Sequence, residues 1–147
     1  MKLTTAQIGK CGEILVQYEL LRLGIESAQM TTDTGIDLVA YLPEEKRAIT
    51  VQVRTIFAPE PGGGKGKLAL DWWVRKNSPA DMVALVDLQS ESIWLLSHEE
   101  LVKVAQQQNT ARLHFYFYAD EGVGKIGSAR REYDRFLLAE ALNKLRQ

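Results

Sequence analysis

A single cysteine, Cys11, stands among the 147 residues, so the chain forms no internal disulfide and fits a reducing, cytoplasmic setting. Excess charge is also missing. The 18 Lys and Arg against 19 Asp and Glu leave a net charge of −1. That balance gives no overall attraction for nucleic acid and leaves any phosphate binding to a local basic patch. No apolar run reaches the roughly 20 residues of a membrane span, and residues 1–10 lack the apolar core of a signal peptide. Internal repeats, low-complexity tracts and an interdomain linker are absent as well. What is present, 46% hydrophobic residues with ordinary Gly and Pro content, is enough for one domain over residues 1–147 with a core of its own. The expectation is a soluble, cytoplasmic protein.

Thr4 or Thr5 caps a first helix that runs to about residue 23, where Gly24 stops it. Ile8, Cys11, Leu15 and Tyr18 form one apolar stripe, and Val16, Leu20 and Leu23 form a second, which predicts cover on two sides. In such a stripe Cys11 reads as a buried, inert thiol. Lys10, Glu13 and Gln17 share the polar strip between the stripes. Solvent exposure is the usual use of such a strip; a facing partner is the alternative.

Residues 26–32 read as a short edge strand, and residues 33–35 turn into a hairpin over residues 35–55. Ile36, Leu38 and Ala40 alternate with Asp37, Val39 and Tyr41; Ile49, Val51 and Val53 alternate with Thr50, Gln52 and Arg54. If Pro43, Glu44, Glu45 and Lys46 form the turn, Leu42 pairs with Arg47 and Asp37 falls opposite Gln52. A carboxylate and an amide oxygen then stand close enough to share one cation, with Arg54 on the same face as Gln52. A slip of one residue would scatter the set. On spacing alone, a solvated strand rim is the commoner use of these residue types.

Residues 58–67 are the one clear loop, made basic by Lys65 and Lys67. Leu68 stands where a phosphate-cradling loop needs Ser or Thr, so the loop reads as a mobile basic segment that can drape over a nucleic-acid backbone. Trp72 and Trp73 precede Arg75 and Lys76; aromatics beside cations stack on bases and pair with phosphates, although Trp is more often a core residue. The near-continuous apolar run at 81–88 marks a strand covered on both faces, and residues 92–96 return as a second hairpin. Ser97 and Glu100 form a capping box for a helix to about residue 107, with His98 at its surface. Residues 113–118 make a short strand, and Ser128 opens a last helix whose apolar face is Tyr133, Phe136, Leu137, Ala141 and Leu145. The order α-β-β-β-β-β-α-β-α predicts an α/β fold (α+β by some schemes), a central mixed sheet flanked by helices.

A helix bearing Glu13, Gly-Ile-Asp at residues 35–37 opening a hairpin, and Gln-Val-Arg at residues 52–54 on its second strand together resemble the PD-(D/E)xK, or restriction-endonuclease-like, nuclease superfamily. They are similar in particular to its Gln-x-Lys branch, where Gln replaces the second acid, as in certain group I intron homing endonucleases. Residues 80–87 and 94–97 look like that branch too. The resemblance covers a core of about residues 6–101; residues 113–147 add a C-terminal strand and helix.

The resemblance implies a DNA endonuclease that hydrolyses phosphodiesters with Mg²⁺ (or Mn²⁺). Glu13, Asp37 and Gln52 would bind the metal together with the Val53 carbonyl, all hard oxygen donors. The catalytic set would be Asp37, Gln52, Arg54 and Glu13, with Gln17, Lys65, Lys67, Arg75 and Lys76 on the nucleic acid. Position 54 departs from the pattern, with Arg where the family has Lys. Arginine stays charged and serves as a fork of donors, not as a base. Gln52 and Arg54 together keep a second expectation open, a catalytically inactive nucleic-acid-binding or protein-interaction module on the same fold. Double-strand cutting needs two centres, which implies a homodimer or higher homo-oligomer, joined through the last helix or the Tyr- and Phe-rich strand.

Overall fold

A reciprocal pair sets the first turn of the chain. Thr4 Oγ1 accepts the Gln7 N–H at 3.2 Å, and Gln7 Oε1 accepts the Thr4 N–H at 2.9 Å. This capping box satisfies donors that a helix start leaves over. Helix α1 follows over Thr5–Arg22, and Gly24 ends it at φ +83°, a conformation open to glycine without a Cβ clash. In the computed structural model, which describes residues 1–32, 34–62 and 66–146, α1 leads into strands β1 (Glu26–Gln29), β2 (Leu38–Leu42) and β3 (Arg47–Ile56). Then come β4 (Glu60–Pro61), β5 (Leu68–Arg75), β6 (Met82–Asp87) and β7 (Ser92–Ser97). Helix α2 (His98–Val104), β8 (Gln107–Gln108), β9 (Arg112–Tyr118), a 3-10 turn (Arg130–Phe136) and α3 (Leu138–Leu145) complete the order.

The central sheet is mixed, in the order β1-β2-β3-β6-β7, with β3 and β6 parallel and the other pairs antiparallel. The hairpin register is the expected one: Leu42 pairs with Arg47, and the ladder runs inward to Leu38 and Val51. Lys46 closes the turn with its N–H on the Pro43 carbonyl, at φ +52°. All six residues of β6 are buried, as a strand covered on both faces requires. Asp81 locks β6 beside β3, because its Oδ2 accepts from both the N–H (2.9 Å) and the hydroxyl (3.1 Å) of Thr50.

A second sheet, β4-β5-β9-β8, lies outside the expected strand order. Its two long strands, β5 from Leu70 onward and β9, alternate. Leu70, Trp72, Val74, Leu113, Phe115 and Phe117 point inward and join Val83, Leu85, Trp94 and Leu96 of the central sheet, with Leu101 of α2 and Tyr133 and Phe136 of the 3-10 turn. The opposite face of the central sheet buries Leu38, Ala40, Ile49, Val51, Ala84 and Leu95 under Val16 and Leu20 of α1 and Leu138, Ala141 and Leu142 of α3. The layers are therefore helices, mixed sheet, second sheet.

Three expectations change. α1 is covered along one line, Gly12, Val16 and Leu20; Cys11 is exposed, as are Ile14, Tyr18 and Leu21. The helix from Ser97 stops at Val104, since residues 107–108 are taken into the second sheet. The expected last helix from Ser128 is split. Leu137 turns extended at φ −54°, ψ 143° and bridges to Trp94 of β7, so the helical winding before it cannot run on into α3. No helix among the described residues is long and apolar enough to cross a membrane.

Candidate active site

The site begins where β2 gives way. At Asp37 the ladder slips by one: its N–H donates to Val51 O at 2.9 Å, and its carboxylate Oδ2 accepts the Val53 N–H at 2.7 Å. A side chain thus stands in for the strand carbonyl that Val53 would otherwise meet. Because the N–H and C=O of one strand residue point to the same side, the Val53 carbonyl faces the edge that Asp37 occupies. Gly35, at φ +87°, sits against Pro79, whose Cδ would lie 3.0 Å from any Cβ there, so the approach to Asp37 is held beneath the segment before β6.

Gln52 is 8% exposed, and its Oε1 is buried with no hydrogen-bond partner among the described residues. It projects toward the second sheet, since Val51 packs under the helices on the other face. Arg54 projects the same way and is exposed. Glu13 arrives from the helical face. Its neighbour Gly12 presses on β3 so tightly that a Cβ would meet Thr55 Oγ1 at 1.8 Å, two residues beyond Val53. The Glu13 side chain is 18% exposed and lies 3.5 Å from Lys10 Nζ. Asp37 and Val53 are thus joined at the edge of β3 that β2 leaves, Gln52 and Arg54 project from one face of β3, and Glu13 approaches from the other. Among the described residues no three His, Cys, Asp or Glu gather as a metal cluster; the acids in this set are two, and the remaining oxygens are an amide and a peptide carbonyl.

The polar strip of α1 faces β1. Lys10 Nζ donates to Gln29 Oε1 at 3.0 Å, Gln29 Nε2 donates to Gln17 Oε1 at 2.8 Å, and Gln17 Nε2 donates to Ser27 O at 3.3 Å. Gln17 thus belongs to a net that docks the helix on the edge strand. Among the described residues, the expected cations Lys67, Arg75 and Lys76 do not form one patch. Lys67 precedes β5, while Arg75 is its last residue and Lys76 follows it, about 26 Å away at 3.3 Å per residue; all three are exposed. Lys65 lies outside the described residues. Trp72 is a core residue whose Nε1–H donates to Val86 O at 3.2 Å, whereas Trp73 faces outward. The outward face of β5 and β9 carries an Asp71–His114 pair at 3.1 Å beside Tyr116 and Tyr118. The alternation of residues 113–118 holds the signal for that face; what it lacks is any mark of the partner strand.

No family model matches the sequence, and no curated protein does. Among solved structures, a bacterial homing endonuclease, I-Ssp6803I, superposes with a TM-score of 0.69 at 14% identity, over 99% of this chain and 94% of that one. MepB aligns with a TM-score of 0.42 at 12% identity, over 92% and 97%, too weak a likeness to argue from. At these identities the shared property is the fold: this chain has a homing-endonuclease-like architecture of mixed sheet and helices.

Proposed function

We propose that the chain is a metal-dependent DNA endonuclease of the PD-(D/E)xK type, with its centre at the open edge of β3. The observation that carries this reading is Asp37 on the Val53 N–H, next in sequence to Gln52, whose buried Oε1 has no hydrogen-bond partner among the described residues. Buried polar atoms without partners are few in native proteins, and a hard oxygen so placed suits Mg²⁺ or Mn²⁺. A carboxylate has about four acceptor sites, so the bond from Val53 is compatible with ligation by Asp37. Glu13, Asp37, Gln52 Oε1 and the Val53 carbonyl would hold the ion. When bound, it would supply Lewis-acid neutralisation of the phosphate and a lowered pKa for water.

The chain's own residues do the rest. Asp37 fixes the strand edge through Val53, which orients the carbonyl and the adjoining Gln52. Arg54, exposed and permanently charged, offers paired donors to the phosphate oxygens and stabilises charge there without taking a proton. Lys65, Lys67, Arg75 and Lys76 would contact backbone phosphates at separate points along the nucleic acid. Cutting both strands takes two centres, so the reading includes a homo-oligomer. The last helix spends Leu138, Ala141 and Leu142 on the core, and besides the Tyr- and Phe-rich strand the exposed Ile14, Tyr18 and Leu21 of α1 offer an apolar stripe for a second copy.

Arg54 favours a second reading, a nucleic-acid-binding module on the same fold without hydrolysis, because no lysine stands there to position or deprotonate water. Supercoiled-plasmid nicking in Mg²⁺, Mn²⁺ and EDTA, beside Asp37→Ala, separates the two. Metal-dependent nicking that Asp37→Ala abolishes is the expected result. Nicking that appears only in Arg54→Lys would mean the scaffold has lost its chemistry, and metal-independent DNA binding with no nicking in either would leave the binding module.

A further inference from the structure

The outer face of the second sheet carries residues that neither the core nor the centre around Asp37 uses. Cross-strand pairs order it from end to end: Arg75 with Arg112, Trp73 with His114, Asp71 with Tyr116, Ala69 with Tyr118. Trp73 and His114 stack at 4.2 Å between ring centroids and 7° between planes. His114 Nε2 lies 3.1 Å from Asp71 Oδ2, which fixes the imidazole beneath the indole. Next to this pair is a hollow of about 480 Å³, lined among others by Glu60, Asp71, His114, Tyr116 and Tyr118.

We propose that this face binds an unpaired stretch of nucleic acid, with phosphates on Arg75 and Arg112, one base stacked on Trp73 and the next entering the hollow; the inference rests on the nucleic-acid part of the function proposed above. Two like charges directly opposite on a sheet repel, and both arginines are exposed, so a phosphate between them relieves the repulsion. Aromatic faces point to unpaired bases, because a duplex shows a protein only base edges and backbone. The direction of the strand follows from charge. Glu60 and Asp71 repel phosphate at the hollow, yet accept hydrogen bonds from an exocyclic amine, as carboxylates do from cytosine N4. The hollow therefore takes a base, and one that carries an amine. Its volume falls within the roughly 300–1,000 Å³ of small-ligand sites.

The test is fluorescence anisotropy with labelled 12-mers of oligo(dC) and oligo(dT) and a duplex of equal length, in EDTA so that nothing is cut. The expected result is salt-sensitive binding of oligo(dC) ahead of oligo(dT) and of the duplex. Trp73→Ala should weaken it at least about fivefold, the lower range for one stacked base, and Arg112→Glu should weaken both oligomers. Asp71→Ala should erase the preference for dC. Trp73 is 39% exposed, and thermal melts of each variant check that the core is intact. Absence of single-strand binding, or equal binding by Trp73→Ala and Arg112→Glu, overturns the proposal. Plasmid nicking reports on Asp37 separately: nicking without single-strand binding here sinks this inference alone, and single-strand binding here without nicking sinks the nuclease reading alone.

Discussion

Thr55 Oγ1 occupies the space that a Cβ on Gly12 would need, 1.8 Å from the Cβ position. The pair fixes how closely α1 rides on β3, and hence where Glu13 stands relative to Asp37. Alanine would favour the isolated helix by about 1 kcal/mol, but overpacking of a tight contact costs about 1–3 kcal/mol. Gly12→Ala is therefore expected to lower the urea midpoint and any metal affinity together. Thr55→Ala should be neutral or stabilising, because Thr55 Oγ1 is buried with no hydrogen-bond partner among the described residues. A Gly12→Ala protein of parental stability would mean that the helix is not seated as described.

Asp37 offers a way to separate fold from chemistry. Its carboxylate serves the Val53 N–H in the strand edge, a task that an asparagine carbonyl also performs. Asp37→Asn should thus keep nearly parental stability while losing the ion-dependent rise in Tm. Asp37→Ala should lose that rise and a further about 1–3 kcal/mol, the cost of leaving a part-buried donor unmatched. Differential scanning fluorimetry with and without Mn²⁺ reads both quantities. Equal melting of the two variants would remove the structural role given to Asp37.

How much of this was legible in the sequence depends on how local each signal was. The hairpin register was, because Pro43 to Lys46 is a short turn between strongly alternating runs, and a slip would have turned Ile49 and Val51 outward. β6 was legible from its unbroken apolar run. The second sheet was not. Leu70, Trp72 and Val74 alternate with Asp71, Trp73 and Arg75, but the partner strand begins at Arg112, and no local feature ties the two. The last helix failed for a related reason. Tyr133 and Phe136 are three apart, a spacing that α and 3-10 windings share, while the break at Leu137 comes from its bridge to Trp94. The two stripes of α1 were equally apolar on paper; only packing decides that Val16 and Leu20 are covered and Tyr18 is not. At the site, the sequence placed Asp37 opposite Gln52. The one-residue departure that hands its carboxylate to Val53 is a property of the strand end, not of the pattern.

Glu100 gives a pH signature. Burial works to raise its carboxyl, but hydrogen bonds from Ser97 and from Lys144 outweigh it, and the group is held below the usual carboxylate value. A depressed folded value means stability that is complete above the unfolded pKa, about 4.3 for Glu, and lost as pH falls through the lowered folded value. The Lys144 contact, at 3.2 Å, joins side chains 74% and 28% exposed, so at most about 1 kcal/mol is at stake. Melting between pH 2 and 7 should fall less steeply in Glu100→Gln than in the parent. Parallel curves would show that Glu100 titrates alike in both states.

Gln52 separates stability from function most sharply. Its amide oxygen is buried with no hydrogen-bond partner among the described residues, and leaving such an atom unmatched costs about 1–3 kcal/mol. Methionine fills nearly the same volume without that atom. Gln52→Met should therefore melt higher than the parent in EDTA. In Mn²⁺ the order should reverse or close, since an ion bound to the native state alone adds stability as RT ln(1 + [L]/Kd), and the variant lacks one of the oxygens proposed to hold it. The two effects have opposite signs, so neither general destabilisation nor general stabilisation imitates them. A variant that melts higher in EDTA and keeps the full ion-dependent shift would remove Gln52 from the metal set and leave its buried amide as a plain packing defect. A variant that melts lower in EDTA would mean that Oε1 finds a partner in solution, and the argument for a hard-oxygen ligand at this position would go with it.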